Sequence, residues 1–185
     1  MKKQAIISGL QNSKAAFIEH SKCVELSNTN ESIFRSFFIE QLCKEDHSVR
    51  CQVEWNFVDV FVKFPDRNVL IEFKYYLHRR SMKLDGSIGN RKGGASTKNK
   101  SEFDKCVRQL FDDSRDTQRA YKDASAVVHE KYLILAYERK VPSPYRFMCY
   151  STLYDSLEPG EFIESVDWLP IDQDDELRIV LLTIK

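Results

Sequence analysis

The sequence lacks the features that mark several large classes of protein. Its 185 residues carry no net charge, with 28 Lys and Arg against 28 Asp and Glu, so the overall balance does not indicate a nucleic-acid partner. No apolar stretch approaches the roughly 20 residues of a membrane span. The apolar run 5–10 is interrupted and too short for a signal peptide. We therefore expect a soluble, cytoplasmic protein.

The cysteines lack the spacing of a metal site or a disulfide framework. They number five, an odd count without any Cys-x-x-Cys pair: Cys23, Cys43, Cys51, Cys106 and Cys149. Reduced thiols in the cytoplasm are the simple interpretation. The chain also lacks internal repeats, and its length fits one domain over 1–185. We place the core at about 29–140 and a C-terminal acidic extension at 141–185.

The charges are nevertheless unevenly distributed. Between 79 and 100, seven bases accompany one acid: Arg79, Arg80, Lys83, Arg91, Lys92, Lys98 and Lys100. The stretch 78–100 holds four glycines and few apolar residues, which predicts a flexible loop that either clamps a polyanion or has no role. Nine acids and no Lys or Arg occupy 155–176. Apolar residues among them indicate a packed segment whose charge faces solvent or a partner, or mimics DNA.

Hydrophobic periodicity predicts an alternation of helices and strands. Helices are expected at 13–25, from Thr29 or Asn30 through Leu42, and at 101–124 with Ser101 as N-cap. Strands are expected at 49–55, 58–64, 69–75, 131–137, 146–150 and 177–184. The first three strands follow one another closely, which indicates an antiparallel meander, and 131–137 has the apolar pattern of a strand buried on both faces in parallel pairing.

The second and third strands form a hairpin that carries a charged group. Residues 65–68 supply the turn, and a turn centred between 66 and 67 places Phe61 opposite Glu72 and Asp59 opposite Lys74. Because side chains alternate between the faces of a strand, Asp59, Glu72 and Lys74 share one face at the end away from the turn.

Two adjacent carboxylates repel each other unless a cation lies between them. Hard oxygen ligands suit Mg²⁺ or Mn²⁺, and no His or Cys lies close enough in sequence to suggest a softer site. Lys74 is placed to orient or deprotonate a water and to stabilise charge on a phosphate. The alternative is a solvated strand face with a surface ion pair.

An Asp near the end of one strand, followed on the next by Glu72-x-Lys74, resembles the PD-(D/E)XK phosphodiesterase superfamily, which includes many restriction endonucleases and repair nucleases. The resemblance covers roughly 31–137. Pro65-Asp66 matches the letters of the motif, but Asp66 lies in the turn, about 20 Å from the Glu72 end at 3.3 Å per residue. Asp59 is therefore the motif's Asp.

The resemblance implies a restriction endonuclease-like α/β core, with a mixed sheet in the order αβββαβ flanked by helices. It implies a Mg²⁺ or Mn²⁺ site formed by Asp59, Glu72 and the backbone carbonyl of Phe73. Glu31, on the first core helix, matches a position that often joins the metal site. It is equally well explained as an acid in the first turn of a helix, near a capping box.

Three further residues are candidates for substrate contact. Arg35 and His78 are candidates for holding the nucleic-acid backbone. Gln109 lies where exonuclease-like members of the family carry Gln-x-x-x-Tyr, but Asp113 replaces the Tyr here. Gln109 is therefore interpreted as a packing or capping residue, or as a substrate contact.

The resulting hypothesis is a Mg²⁺-dependent DNA endonuclease of a restriction, defence or mobile-element type, with homodimerisation if both strands are cut. One alternative is a non-catalytic nucleic-acid-binding protein on the same fold. Another is a protein-interaction module, such as an immunity or anti-defence factor, that uses the acidic surface. Nothing in the sequence separates DNA from RNA as the substrate.

Overall fold

A six-stranded mixed sheet forms the centre of the protein. The computed structural model describes residues 2–24, 29–55, 58–77, 95–112, 127–139, 149–171 and 177–185. The helices are α1 (Lys2–Ser21), α2 (Glu31–Glu45), α3 (Thr97–Phe111) and α4 (Tyr150–Tyr154). The strands are β1 (Arg50–Trp55), β2 (Val58–Lys63), β3 (Asn68–Tyr76), β4 (Val128–Glu138), β5 (Ile163–Trp168) and β6 (Leu177–Ile184).

The strand order in the sheet is β1-β2-β3-β4-β6-β5. Strands β1, β2 and β3 form the predicted antiparallel meander. Strand β4 pairs with β3 in parallel, and β6 and β5 continue the sheet with antiparallel pairing. The prediction of a mixed α/β sheet flanked by helices is therefore confirmed.

The helices cover both faces of this sheet. On one face, α1 and α2 pack over β2, β3, β4 and β6 in a core that includes Ile6, Phe17, Phe34 and Phe38. On the other face, α3 and α4 pack over β4 and β6. Within the described segments, no helix combines the length and apolar character needed to cross a membrane.

Several predicted boundaries are confirmed. Asn30 is the N-cap of α2, and its side chain accepts a hydrogen bond from the backbone N–H of Ile33 at 2.9 Å. Strand β6 has the predicted bounds, and β4 contains the predicted run 131–137, six of whose seven residues are buried. Strand β4 lies between β3, to which it is parallel, and β6, to which it is antiparallel, and its side chains enter the cores on both faces of the sheet.

The first helix begins earlier than predicted, at Lys2 rather than near residue 13. Ile6 and Leu10 lie one turn apart and are fully buried, so the apolar stripe that ends with Phe17 extends to the start of the chain. The run 5–10 is thus a packed part of α1.

The third helix also begins earlier than predicted. Ser96, not Ser101, is its N-cap and accepts a hydrogen bond from the N–H of Asn99. Both serines are suitable caps, and the apolar pattern starts too late to distinguish them. Lys98 and Lys100 therefore belong to α3 rather than to the predicted loop. The rest of that loop, 78–94, lies outside the described residues.

The C-terminal end of α3 and the segment after β4 also differ from the prediction. Helix α3 ends at Phe111, and 113–124 lies outside the described residues. Tyr150, predicted at the end of a strand, begins α4 instead, with Cys149 as the N-cap. Residues 146–148 lie outside the described residues. The acidic extension also contributes β5, which pairs with β6 at the sheet edge.

The hairpin register differs from the prediction by two residues. Phe61 pairs with Leu70 rather than with Glu72. The N–H of Phe64 donates to the carbonyl of Arg67 at 2.8 Å, so the turn is centred between residues 65 and 66. Pro65 thereby takes the second position of the turn, where its fixed φ is favourable. A shift of two residues keeps every side chain on its predicted face.

Candidate functional site

Asp59, Glu72 and Lys74 meet around the peptide groups that flank Phe73. Asp59 Oδ2 accepts a hydrogen bond from the N–H of Phe73 at 2.7 Å. Lys74 Nζ donates to the carbonyl of Phe73 at 2.8 Å and to Glu72 Oε1 at 3.3 Å. The three predicted residues therefore converge, as the alternation of side chains along β2 and β3 requires.

Two carboxylates replace strand pairing along one edge of β3. The pairing between β2 and β3 ends at Val60 and Ile71. Beyond that point, the N–H of Phe73 donates to Asp59, and the N–H of Tyr75 donates to Glu31 Oε2 at 3.1 Å. Partly buried backbone amides need acceptors. Asp59 and Glu31 supply them where β2 no longer does.

Arg35 is the positive centre on the α2 side of the site. Its Nη1 lies 2.6 Å from Asp59 Oδ1, and its Nη2 lies 2.7 Å from Glu54 Oε1. Arg35 is only 8% exposed. One guanidinium thus bridges carboxylates on β1 and β2, a geometry that suits its planar fork of donors.

Burial and mutual repulsion destabilise the charged form of two acids in this group. The pKa of Glu31 is raised to about 7, mainly by burial; Lys74 and Arg35 act to lower it, and Asp59 and Glu72 act to raise it. The pKa of Asp59 is also raised, first by burial and then by Glu72. We call Glu31, Arg35, Asp59, Glu72 and Lys74 the charged cluster. It contains three acids and two bases, so its carboxylates are incompletely neutralised.

Lys74 keeps its proton at neutral pH. Burial alone would lower the pKa of its ammonium, but Cys106 and the cluster carboxylates Glu72, Glu31 and Asp59 raise it above the ordinary value. We assign more of this effect to the carboxylates than to Cys106, since a thiol is normally neutral. Lys74 is therefore a hydrogen-bond donor and a positive charge, not a general base.

Glu72 is the least satisfied member of the charged cluster. Its Oε1 receives Lys74 and, at 3.6 Å, the Sγ of Cys106 on the inner face of α3. Its Oε2 is buried and has no hydrogen-bond partner among the described residues. Because an unpartnered buried acceptor is unfavourable, this oxygen is suited to receive a ligand.

The donors fit the predicted metal in kind. Among the described residues, no three side chains of His, Cys, Asp or Glu are grouped to hold a metal ion. The smallest predicted ligand set has only two carboxylates, Asp59 and Glu72, with the carbonyl of Phe73, and oxygen donors suit Mg²⁺ or Mn²⁺. Glu72 Oε2 has no hydrogen-bond partner among the described residues, whereas Asp59 Oδ1 is occupied by Arg35. Glu31 is bonded to the backbone N–H of Tyr75 and makes no hydrogen bond with Asp59 or Glu72.

The other predicted residues lie in varied places. Five of the basic candidates, together with His78, fall outside the described residues: Arg79, Arg80, Lys83, Arg91 and Lys92. Lys98 and Lys100 form pairs within α3, with Glu102 at 3.7 Å and Asp104 at 2.7 Å. Gln109 is exposed on α3, three residues from Cys106. Arg35 is buried against carboxylates, a different environment from the one expected for a phosphate contact.

Cys106 was not predicted as part of the site, and Arg35 was predicted as a contact to the nucleic-acid backbone rather than as the partner of Asp59 and Glu54. The sequence pattern marks Cys106 only as a buried position of α3, and its contact with Glu72 depends on how α3 packs on the sheet. A cross-strand argument could have found Glu54. Val53 pairs with Val60 and Trp55 with Val58, which places Glu54 opposite Asp59.

Comparison with protein-family models, curated proteins and solved structures found no match.

Proposed function

We propose that this chain is a metal-dependent nuclease that hydrolyses phosphodiester bonds, with DNA as the favoured substrate and endonucleolytic cleavage as the favoured mode. The observation that carries this proposal is the convergence of Asp59, Glu72 and Lys74 around Phe73, with one buried Glu72 oxygen left without a partner. The order of α2, the meander, α3 and β4 is also the order that the PD-(D/E)XK resemblance implies.

In this proposal Asp59, Glu72 and the carbonyl of Phe73 hold Mg²⁺ or Mn²⁺. Such an ion, when bound, would supply polarisation of a phosphoryl oxygen and a lowered pKa for the attacking water. Lys74 stays protonated, so its ammonium donates to a non-bridging phosphate oxygen and stabilises the charge that develops there. The low exposure of Glu72 and Lys74, 13% and 23% of their side chains, strengthens this electrostatic effect.

The basic residues of α3 would hold the polyanion. Lys98 is exposed and Lys100 is half-buried; each pairs with an acid one turn away, and such i,i+4 pairs contribute little to stability. A phosphate can therefore recruit these side chains at small cost. We assign the same role to the basic residues of 79–92, which would contact the backbone without reading the base sequence.

The test is cleavage of supercoiled plasmid, and of an RNA of matched length, in Mg²⁺ and in Mn²⁺. We expect Lys74→Met and Glu72→Gln to reduce cleavage by about 100-fold or more, as the loss of one preorganised electrostatic group does elsewhere. The matched control is Lys63→Met, since Lys63 is exposed on the same face of β2 at the turn end of the hairpin.

Unchanged cleavage by both site variants would overturn the assignment. Tight binding of nucleic acid by the wild type, with no cleavage in either metal, would instead support the non-catalytic alternative. If Lys63→Met lost cleavage to the same extent, the loss in the site variants would reflect the removal of any charge from this face of the hairpin rather than damage to the site.

A further inference from the structure

Arg35 is shared between two carboxylates that differ in their surroundings. The side chain of Asp59 is 15% exposed, whereas that of Glu54 is 70% exposed, yet both accept short contacts from the same guanidinium. Asp59 is also bound through Oδ2 to the N–H of Phe73. Both oxygens of Asp59 are therefore engaged.

Glu54 is held in an unfavourable backbone conformation. Its φ is +54°, the only positive value at a non-glycine residue in the described part of the chain. This left-handed region is costly for a residue with a Cβ, and glycine adopts it with far less strain. A glutamate at such an exposed position is explained if its carboxylate makes a contact that glycine could not make. That contact is the ion pair with Arg35.

We infer that Glu54 is a positioning residue that retains the Arg35 guanidinium when Asp59 Oδ1 is released to bind a divalent cation. This inference rests on the proposed function, because it concerns the same cation site. Oδ1 becomes a ligand only if Arg35 leaves it, and a buried guanidinium without a partner is strongly unfavourable. Glu54 lies opposite Asp59 across the β1–β2 ladder. It keeps one carboxylate on Arg35 throughout the exchange.

Replacing Glu54 and replacing Arg35 should have different effects on the affinity for a divalent cation. In Glu54→Gln, the remaining carboxylate contact of Arg35 among the described residues is Asp59, so the guanidinium holds Oδ1 more tightly. We expect the Kd for Mn²⁺ to increase by about tenfold, the effect of one charge-assisted hydrogen bond. In Arg35→Gln the competitor is absent, so Mn²⁺ should bind at least as tightly as to the wild type.

The experiment is calorimetric titration of the full chain with Mn²⁺, without nucleic acid. The variants are Glu54→Gln, Arg35→Gln and the double variant, and each is checked for cooperative thermal unfolding. The matched control is Glu40→Gln, which removes an exposed carboxylate paired with Lys44 at 2.6 Å on the same helix as Arg35. The control should leave the Kd unchanged. If Arg35→Gln does not fold, Arg35→Lys replaces it, because an ammonium lacks the fork that spans two carboxylates.

The inference is supported if Glu54→Gln binds Mn²⁺ more weakly than the wild type and if this weakening disappears when Arg35 is also replaced. It is overturned if Glu54→Gln binds Mn²⁺ like the wild type, if its effect persists without Arg35, or if the wild type binds no Mn²⁺. The cleavage assay separates this result from the proposed function. If the wild type binds Mn²⁺, Glu54→Gln weakens this binding and neither DNA nor RNA is cleaved, the exchange of Arg35 is supported and the proposed nuclease activity is overturned. Cleavage with an unchanged Kd in Glu54→Gln overturns the exchange alone.

Discussion

The buried Glu31 carboxylate should make the protein less stable as the pH rises from about 4.5 to about 7. Its pKa is raised to about 7 from an ordinary value of 4.5, first by burial. A carboxyl group whose pKa is raised on folding binds its proton more tightly in the folded state. Stability is therefore unaffected well below the unfolded pKa, falls as the pH rises through the window between the two pKa values, and stays low above the folded pKa.

Glu31→Gln should remove this dependence. Gln keeps an oxygen that accepts from the N–H of Tyr75 but carries no charge. The free energy of unfolding of Glu31→Gln relative to wild type should therefore rise by about 2–3 kcal/mol between roughly pH 5 and pH 8. Urea unfolding at several pH values measures this difference. The test is how the difference changes with pH, because an effect of the substitution that is the same at every pH does not alter that change.

The matched control is Glu40→Gln on the same helix. Glu40 is exposed and paired with Lys44, so its replacement should change stability by less than about 1 kcal/mol at every pH. A flat difference between Glu31→Gln and wild type across the same range would refute the reasoning. It would mean that the Glu31 carboxylate is solvated or neutralised at the site, and that the cluster is not short of positive charge.

Three further predictions concern packing, backbone strain and satisfaction of the site. Gly9→Ala gains about 1 kcal/mol of helix propensity inside α1, but its new Cβ would lie 3.2 Å from a backbone atom of α2. We expect the crowding to outweigh this gain and to lower the free energy of unfolding in urea by up to about 2 kcal/mol, whereas Gly160→Ala, with no atom within 4 Å, should be nearly neutral. Glu54→Gly should be more stable than Glu54→Ala by about 1 kcal/mol, since both lose the carboxylate and only alanine pays for the positive φ; equal stability would show that the backbone relaxes. Asp59→Asn should cost about 1–3 kcal/mol, since Glu54 still pairs with Arg35. Glu72→Gln should cost less than about half of that, because both Asp59 oxygens are bonded and one Glu72 oxygen is not; the reverse order in thermal unfolding would contradict this description of the site.

The meeting of the site residues was predictable because it depends on strand geometry alone. Side-chain alternation places Asp59 on the face of Glu72 and Lys74 for any register that differs by an even number of residues. The predicted register was wrong by two, yet the face was right. The same geometry excluded Asp66, which lies in the turn and pairs with Arg67 at 3.5 Å.

The contacts from the helices were not predictable in the same way. The link from Arg35 to Asp59 spans 24 residues of sequence, and the contact from Cys106 to Glu72 spans 34. Each depends on how a helix packs on the sheet, which no local periodicity encodes. The pattern identifies the inner face of α3, with Phe103, Val107 and Leu110, but gives no reason why a cysteine on that face should lie against a carboxylate.

The acids of the charged cluster have unequal structural justification. Asp59 and Glu31 accept from the amides of Phe73 and Tyr75, where β3 has lost pairing with β2, so the fold has a use for both carboxylates without any ligand. Glu72 satisfies no backbone group in the described part of the chain. It adds repulsion that raises the pKa of both other acids and leaves one of its own oxygens unpartnered. Replacing both Glu72 and Lys74, a partly buried ion pair, by apolar residues would be neutral or stabilising, so stability alone does not require a carboxylate here. Glu72, more than the Asp that completes the motif, is therefore the residue whose presence points to a ligand.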